Sequence, residues 1–600
     1  MIQPNARSTL VEAVTPPAGY EFDTGIATTY SLDIATLMVL PAHLAWLAAS
    51  EDEGVQNDPL RLLEGMRRTT KRLSVFADSG RLHVPRMPHA LLGLTEEMIY
   101  EVQAPHGGAF HPKVWVLRFL LEGQGDAPLI RLLVLSRNLT DDRSWDLSLC
   151  LEGQPQGRPR TENKALASFV RRLPDLCRHK RPSGERLRQL QTLADELHRC
   201  AWELPPGFSE PVEFHVIGLG AKPQPWRLSE SDELLVVSPF LRDTALQAVA
   251  ATSKCPVGVV SRQEEIALLS DESRGLCQMY VVDDNADLGA EEEAQRGAHR
   301  GLHAKALIWQ KGAWTYALVG SANCTTAALE RGSNVEVMAQ ICGHHGKVGR
   351  PRDWLTREKG MGALLEPYKP MDPGPLLKQR ELEDALEAVR RRIVEAGLNL
   401  VCELTEDGRY SLALHGTQTL ADPTTEIWAW PLTVSPEGNR RLEDAPSLEL
   451  GSFMAHEVTS LTGFRVRMGK QELLFGLELP LANPPQDREA AVLAVLLGNR
   501  AAFLRYLALL LGVFGNEAPD GEGEGTGGWF GGVSAPDDSL ALFELMLKAF
   551  SREPAKLDHV ASAVGKLAQA QGEGAESLIP PDFMALWRVF EEARSSEGAR

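Results

Sequence analysis

Apolar and polar positions in this chain follow two rhythms. Up to about residue 340, short β-branched runs alternate with helical stretches; beyond it, a small set of strands gives way to helical periodicity. "IATTYSLDIATLMVLPAHL" (26–44) reads as a strand followed by a helix, and "DELLVVSPFLRDTALQAVA" (232–250) reads the same way. Strands at "RLSVFAD" (72–78) and "MIYEVQ" (98–103) follow the first, and strands at "PVGVVSR" (256–262) and "QMYVVDD" (278–284) follow the second. Each series ends in two more apolar runs, "GGAFHPKVWVLRF" (107–119) with "LIRLLVLSRN" (129–138), and "GLHAKALIWQ" (301–310) with "WTYALVGSAN" (314–323). This internal repeat predicts two α/β halves with mainly parallel or mixed sheets, over 20–155 and 212–345.

Between the halves, 156–211 reads as a basic helical connector, in which Arg171, Arg172, Arg178, Lys180, Arg181, Arg186 and Arg188 lie close together. Either it is a solvated helix pair, or its charges form a phosphate-attracting flank of a groove. Past the second half, the pattern predicts a helix at 376–397. Strands are predicted around a turn at Asp407-Gly408 and at 426–432, 464–469 and 472–479, making a small β-rich domain over 376–485. From 486 to 600 the periodicity is helical, broken by the glycine-rich "GEGEGTGGWFGG" (521–532), expected to be flexible. The most apolar run, "AAFLRYLALLLGVFG" (501–515), contains Arg505 and falls short of the ~20 residues that span a bilayer. It is expected to be a buried helix, and no membrane association is expected.

Composition narrows the function classes. The 600 residues exceed what one core supports. With 62 basic against 81 acidic residues, the net charge of −19 excludes a surface coated for indiscriminate binding to nucleic acid, while allowing a local basic groove. Eight scattered cysteines without a CxxC pair indicate neither a zinc ribbon nor a disulfide framework. The N-terminal stretch has no apolar core of a secretory signal, so a cytoplasmic location is expected. "CGHHG" brings Cys342, His344 and His345 together without a second cluster, and no dinucleotide or P-loop pattern occurs. No metal and no cofactor are expected.

The chemistry sits where the repeats coincide. Side chains two apart on a strand share a face, so His111 and Lys113 project together, as do His303 and Lys305. The strand after each pair ends in Ser-x-Asn, giving Ser136 with Asn138 and Ser321 with Asn323. Farther on lies an acid within a strand-like run, Asp146 in "SWDLSL" and Glu336 in "NVEVM". A carboxylate that accepts from an imidazole fixes its tautomer and raises its basicity. Brought together, two lysines and two asparagines would supply positive charge and hydrogen-bond donors, and two imidazoles a nucleophile and an acid–base partner. Trp115, Trp309 and Trp314 read most simply as strand packing residues, with a second reading for Trp115, which shares a strand face with Lys113, as a platform that stacks on a base.

The paired "HPK…SRN" and "HAK…GSAN" segments resemble the phospholipase D superfamily, over about residues 20–340. The resemblance implies that two motifs from a pseudo-twofold repeat meet in one active site. Many members carry an Asp shortly after the Lys; here Arg118 and Gln310 stand there, a departure shared by the tyrosyl-DNA phosphodiesterase branch. By the same resemblance the chain would be a metal-independent phosphodiesterase with His111 as nucleophile, forming a phosphohistidine, and His303 as general acid and base. Lys113, Lys305, Asn138 and Asn323 would clamp the phosphoryl oxygens, with Ser136 and Ser321 as hydroxyl donors and Asp146 and Glu336 in support. Arg171, Arg172, Lys180, Arg181 and Trp115 would contact substrate. Nucleic acid, DNA above RNA, is the expected substrate; a silent scaffold docking a partner protein and a phospholipid-acting enzyme are the alternatives. Stand-alone bacterial proteins of this kind look like parts of defence or DNA-processing systems, which implies a helicase or similar partner on the C-terminal domains. The sequence leaves the oligomeric state open.

Overall fold

The computed structural model describes residues 9–46, 65–282 and 301–497, scattered helical positions between 503 and 550, and 554–570 and 579–597; within these spans 66, 90, 122–123, 142–143, 358–359, 421, 423 and 487 are left out. Two mixed sheets form the core, and six strands of each follow the same order. In the first half the order is Ile99–Val102, Leu73–Asp78, Tyr20–Thr29, Val114–Leu121, Gln124–Leu135 and Ser148–Pro155. In the second it is Met279–Val282, Pro256–Ser261, Glu233–Val237, Ala306–Lys311, Trp314–Gly320 and Glu336–His344. The first three strands of each series run parallel and the rest antiparallel, as expected for strands joined first by helices and then by short turns. The two α/β halves expected from the repeat are therefore present.

The faces of the two sheets share one core, in which Val114, Val116, Leu132 and Val134 of the first half meet Leu235, Val237, Ala306 and Ile308 of the second. The connector belongs to this core rather than standing apart from it. Its helices Lys164–Leu176 and Gly184–Arg199 bury Leu166, Phe169 and Leu173, and Leu190, Leu193 and Leu197. The segment then gives one edge strand to each sheet, Cys200–Glu203 to the first and Ser209–Ile217 to the second.

The other face of the first sheet is covered by the Ile34–Trp46 helix, which buries Leu37, Leu40 and Leu44 with Trp115 and Leu117. Past the second half, the Gly374–Glu395 helix precedes two further sheets, including the expected hairpin, in which Asn399–Leu404 pairs with Tyr410–His415 across Asp407-Gly408. One of these sheets reaches back into the first half, where Gly476 pairs with Leu82. The final helices Arg488–Leu496, Pro554–Ala570 and Pro581–Glu597 bury Leu493, Leu557, Val560, Phe583 and Trp587 in a separate cluster. Of the apolar run 501–515, Phe503, Tyr506, Leu507, Leu510 and Leu511 are buried, while the glycine-rich stretch 521–532 lies outside the described residues. Among the described residues, no helix is long and apolar enough to cross a membrane.

Candidate active site at the pseudo-dyad

Each His-x-Lys segment stands just ahead of a strand, Val114–Leu121 or Ala306–Lys311, and is fixed there by the other half. Phe110 bridges to Val335, and the His111 N–H donates to Val335 O at 2.9 Å. Leu302 bridges to Trp145 in the same way, with the His303 N–H donating to Trp145 O at 2.9 Å. Val335 and Trp145 immediately precede the two acids, so the chain of each half passes the histidine of the other just before its acidic residue. Gly108 makes the first crossing possible: a Cβ there would stand 2.3 Å from Ser333 O, closer than any side chain allows.

The result is explicit at His111. Its Nδ1 lies 3.0 Å from Glu336 Oε2, and the carboxylate also accepts from Ser321 Oγ at 2.5 Å and Asn334 Nδ2 at 3.1 Å. Burial drives the imidazole down to about 4, with Lys113 and Lys305 pushing the same way and Glu336 opposing. His111 is therefore neutral at physiological pH, with Nδ1–H directed to Glu336 and the Nε2 lone pair available. Burial alone would raise the Glu336 carboxyl, but His111, Lys113 and Ser321 together hold it below its ordinary value, so it is ionised.

The two lysines converge. Lys113 Nζ donates to His111 O at 2.8 Å, while Lys305 Nζ donates to His303 O at 2.7 Å and crosses the dyad to Ser136 O at 3.0 Å. Burial and then the charge of Lys305 push Lys113 well below its usual range, a cost that a bound anion would relieve. The two Ser-x-Asn turns are held alike: the N–H after Asn138 donates to Thr29 Oγ1, the N–H after Asn323 to Ser238 Oγ, both at 2.9 Å. Asn138 Oδ1 and Asn323 Oδ1 are both buried without a hydrogen-bond partner among the described residues, so each side chain has an acceptor that calls for a donor. Ser136 and Ser321 are not free donors: Ser136 Oγ donates to Asp146 Oδ1 at 3.2 Å and accepts from Leu147 N, and Ser321 Oγ has its matching bonds to Glu336 and Val337 N. They brace the acids and do not reach into the pocket.

One expected substrate contact, that of Trp115, is corrected. Trp115 does lie on the same strand face as Lys113, but that face continues beneath the Ile34–Trp46 helix; the indole is 2% exposed and stacks on nothing outside the core. Most of the connector's charges have partners within the protein, while Arg171, Arg172 and Arg181 remain exposed. Arg171 pairs with Asp195 at 2.6 Å, Arg172 bonds Leu219 O at 3.4 Å, and Lys180 bonds Glu478 at 2.7 Å beneath the C-terminal domain. Arg186 bonds Leu73 O at 2.7 Å and Arg178 reaches Val394 O, while Arg181 is exposed. Trp314, expected to pack, is exposed against His344. Arg118 and Gln310 are structural: Arg118 joins Asp23 and Glu196 at 2.6 and 2.8 Å, and Gln310 bonds Gly312 O at 2.8 Å.

Sequence reasoning missed four contributors. Asn334 joins the loop before His111 to Glu336, accepting from Ala109 N at 3.0 Å. Thr29 and Ser238 hold the asparagine turns, and their equivalent places at the ends of matching strands were the available signal. Tyr30 sets its ring 5.1 Å from that of His111, with the Arg81 guanidinium 4.5 Å above it. Among the described residues, no cluster of three or more His, Cys, Asp or Glu is arranged to hold a metal ion.

Fold and site together define a two-half α/β protein whose halves exchange supports around a pocket of paired lysines, asparagines and a neutral histidine. No family model and no curated protein matches the chain. Among solved structures, it is similar to yeast tyrosyl-DNA phosphodiesterase at 13% identity, covering 57% of this chain and 86% of that one with a TM-score of 0.33. It is also similar to phosphatidylserine synthase of Haemophilus influenzae Rd KW20 at 11% identity, covering 64% of this chain and 91% of that one, TM-score 0.30. These are similarities in the course of the chain.

Proposed function

We propose that this chain is a phosphodiesterase of the phospholipase D type that acts on nucleic acid through a covalent phosphohistidine. The observation that carries the reading is the exchange across the dyad: Glu336 of one half orients His111 of the other at 3.0 Å, while Lys305 reaches back to Ser136 O at 3.0 Å. A neutral, oriented imidazole beside two buried ammonium groups suits attack on an anionic phosphorus centre.

In the first step His111 Nε2 bonds to phosphorus, the bond to the leaving oxygen breaks, and His303 gives that oxygen a proton. In the second, His303 takes a proton from water, the water oxygen bonds to phosphorus, and the phosphorus–nitrogen bond breaks, restoring His111. Lys113 and Lys305 neutralise the equatorial oxygens, and Asn138 and Asn323 donate to them. The two lysines and two asparagines supply the charge and donors that an added ion would otherwise provide. The departure of Arg118 and Gln310 from the Asp-bearing pattern favours nucleic acid over lipid.

The test compares the wild type with His111→Ala and His303→Ala on labelled single-stranded DNA, duplex DNA, RNA and phospholipid vesicles, with EDTA throughout. Cleavage of nucleic acid lost in both variants supports the reading. Cleavage that needs magnesium, or that survives both substitutions, overturns it. Cleavage of vesicles alone transfers the same site to a lipid substrate, and an inactive wild type leaves the scaffold.

A further inference from the structure

The two flanks of the pocket derive from equivalent segments but differ in chemistry. The register of the paired strands, Phe76 with Thr28 and Val260 with Val237, matches Thr29 with Ser238, Tyr30 with Pro239, Ser31 with Phe240, and Asp78 with Arg262. The hydrogen bonds agree: Thr29 Oγ1 donates to Ser31 O and Ser238 Oγ to Phe240 O, both at 2.7 Å. On the His111 flank, Asp78 accepts from Phe110 N at 2.9 Å, Tyr30 lies under Arg81, and Glu387 of the Gly374–Glu395 helix closes over Arg81 at 2.6 Å. That side is filled by the protein itself.

The His303 flank is built differently. Phe240 occupies the place of the buried Ser31 yet is 39% exposed. Arg262, in the place of Asp78, sets its guanidinium 4.8 Å from the Phe240 ring centre and anchors it by donating from Nε to Leu302 O at 2.9 Å, one residue before His303. Phe240 is tied in turn, through Ser238, to the residue after Asn323. An open aromatic ring, backed by an arginine and fixed at both ends to active-site segments, is a platform for a flat ring carried by the substrate.

We propose that Phe240 and Arg262 form a stacking subsite for a nucleobase on the leaving-group side of the scissile phosphate. The inference rests on the phosphodiesterase reading for the word leaving, since His303 there protonates the departing oxygen; the stacking itself does not depend on turnover. It makes Phe240 and Arg262 determinants of which nucleotide esters are accepted, and it predicts that only one of the two nucleosides joined by the phosphate is read in this way.

The probe is the thymidine dinucleotide joined by one phosphodiester, with two analogues each lacking the base on one side, titrated into His111→Ala protein so that nothing is turned over. Loss of one particular base weakens binding by roughly 5- to 100-fold, the range of a single aromatic–base stack, while loss of the other changes it little. Phe240→Ala erases that difference, and Phe240→Leu, which keeps apolar bulk, erases it as well. Equal binding of all three ligands, no measurable binding of any, or a base preference that survives Phe240→Ala overturns the proposal. Hydrolysis of bis(4-nitrophenyl) phosphate by the wild type is measured separately. One-sided base recognition without hydrolysis leaves the subsite standing and removes the phosphodiesterase reading; hydrolysis without base recognition does the reverse.

Discussion

Replacing Glu336 by Gln isolates the exchange between halves. The carboxylate is fully buried, ionised and 3.0 Å from His111 Nδ1. When Nε2 bonds to phosphorus the imidazole becomes cationic, and at that separation an opposite charge is worth ~5 kcal/mol at an effective dielectric near 20. Lys113 and the Ser321 hydroxyl also draw on this carboxylate, so the usable part is about 3–5 kcal/mol, or roughly 10²- to 10⁴-fold in kcat. Gln keeps the size and one acceptor oxygen, so the fold persists. With less negative charge beside buried Lys113, however, the Tm falls. The assay is kcat and KM on a fluorescently labelled oligonucleotide in EDTA, with acid quench to trap phosphohistidine. The expected result is a large fall in kcat with KM changed far less, because the charge is used as the bond to phosphorus forms and not in binding. A folded Glu336→Gln protein with kcat within about threefold of wild type would refute the reasoning.

Four further outcomes are expected from the same geometry. Because burial and the two lysines hold His111 at about 4, the acid limb of kcat/KM falls near pH 4 and not near 6.5. Unfolded His111 binds a proton below its ordinary value while folded His111 does not, so stability is full above pH 6.5 and is lost by up to about 3 kcal/mol as the pH drops toward 4, which thermal melts at the two ends of that window will show. Lys305→Met, which removes one of the two converging ammonium groups and its bond to Ser136 O, lowers kcat by roughly 10²- to 10³-fold and is read in the same oligonucleotide assay. Trp115→Ala leaves a cavity under the Ile34–Trp46 helix and costs about 3–5 kcal/mol in urea titration; a loss below about 1 kcal/mol would contradict the core placement of the indole.

Local patterning carried a large part of the architecture. Alternating apolar runs give the paired strands of both halves, and the Asp407-Gly408 turn gives the hairpin, because side-chain period and turn chemistry are properties of neighbouring residues. The same alternation misled at Trp115. It reports which face a residue occupies, but not that the Ile34–Trp46 helix covers this face a few residues beyond Lys113. The basic connector shows a related limit: its positive residues are contiguous in sequence, whereas Glu478, Glu96 O and Val394 O, which bind Lys180 and Arg178, lie far from them in the chain. For the site, the residue types and their doubling were legible. Which acid serves which histidine was not, since spacing within one half says nothing about a bridge such as Phe110 to Val335. Asn334 was equally hidden, a single polar residue whose role exists only once the Ala109 loop lies against it. The attachment of the C-terminal sheet to the first half joins residues far apart in the chain, Leu82 with Gly476, Glu96 with Thr459 and Glu101 with Glu478 N, and has no local signature.

The reciprocal placement of Glu336 and Trp145 also bears on ancestry and engineering. Neither half, expressed by itself, would hold a complete catalytic set; a lone half would have to associate with a second copy to recover one. Two identical copies would necessarily present the same residue at the places of Tyr30 and Pro239, and of Asp78 and Arg262. Linking the halves in a single polypeptide removes that constraint, and each border of the reaction centre is then free to acquire its own preference.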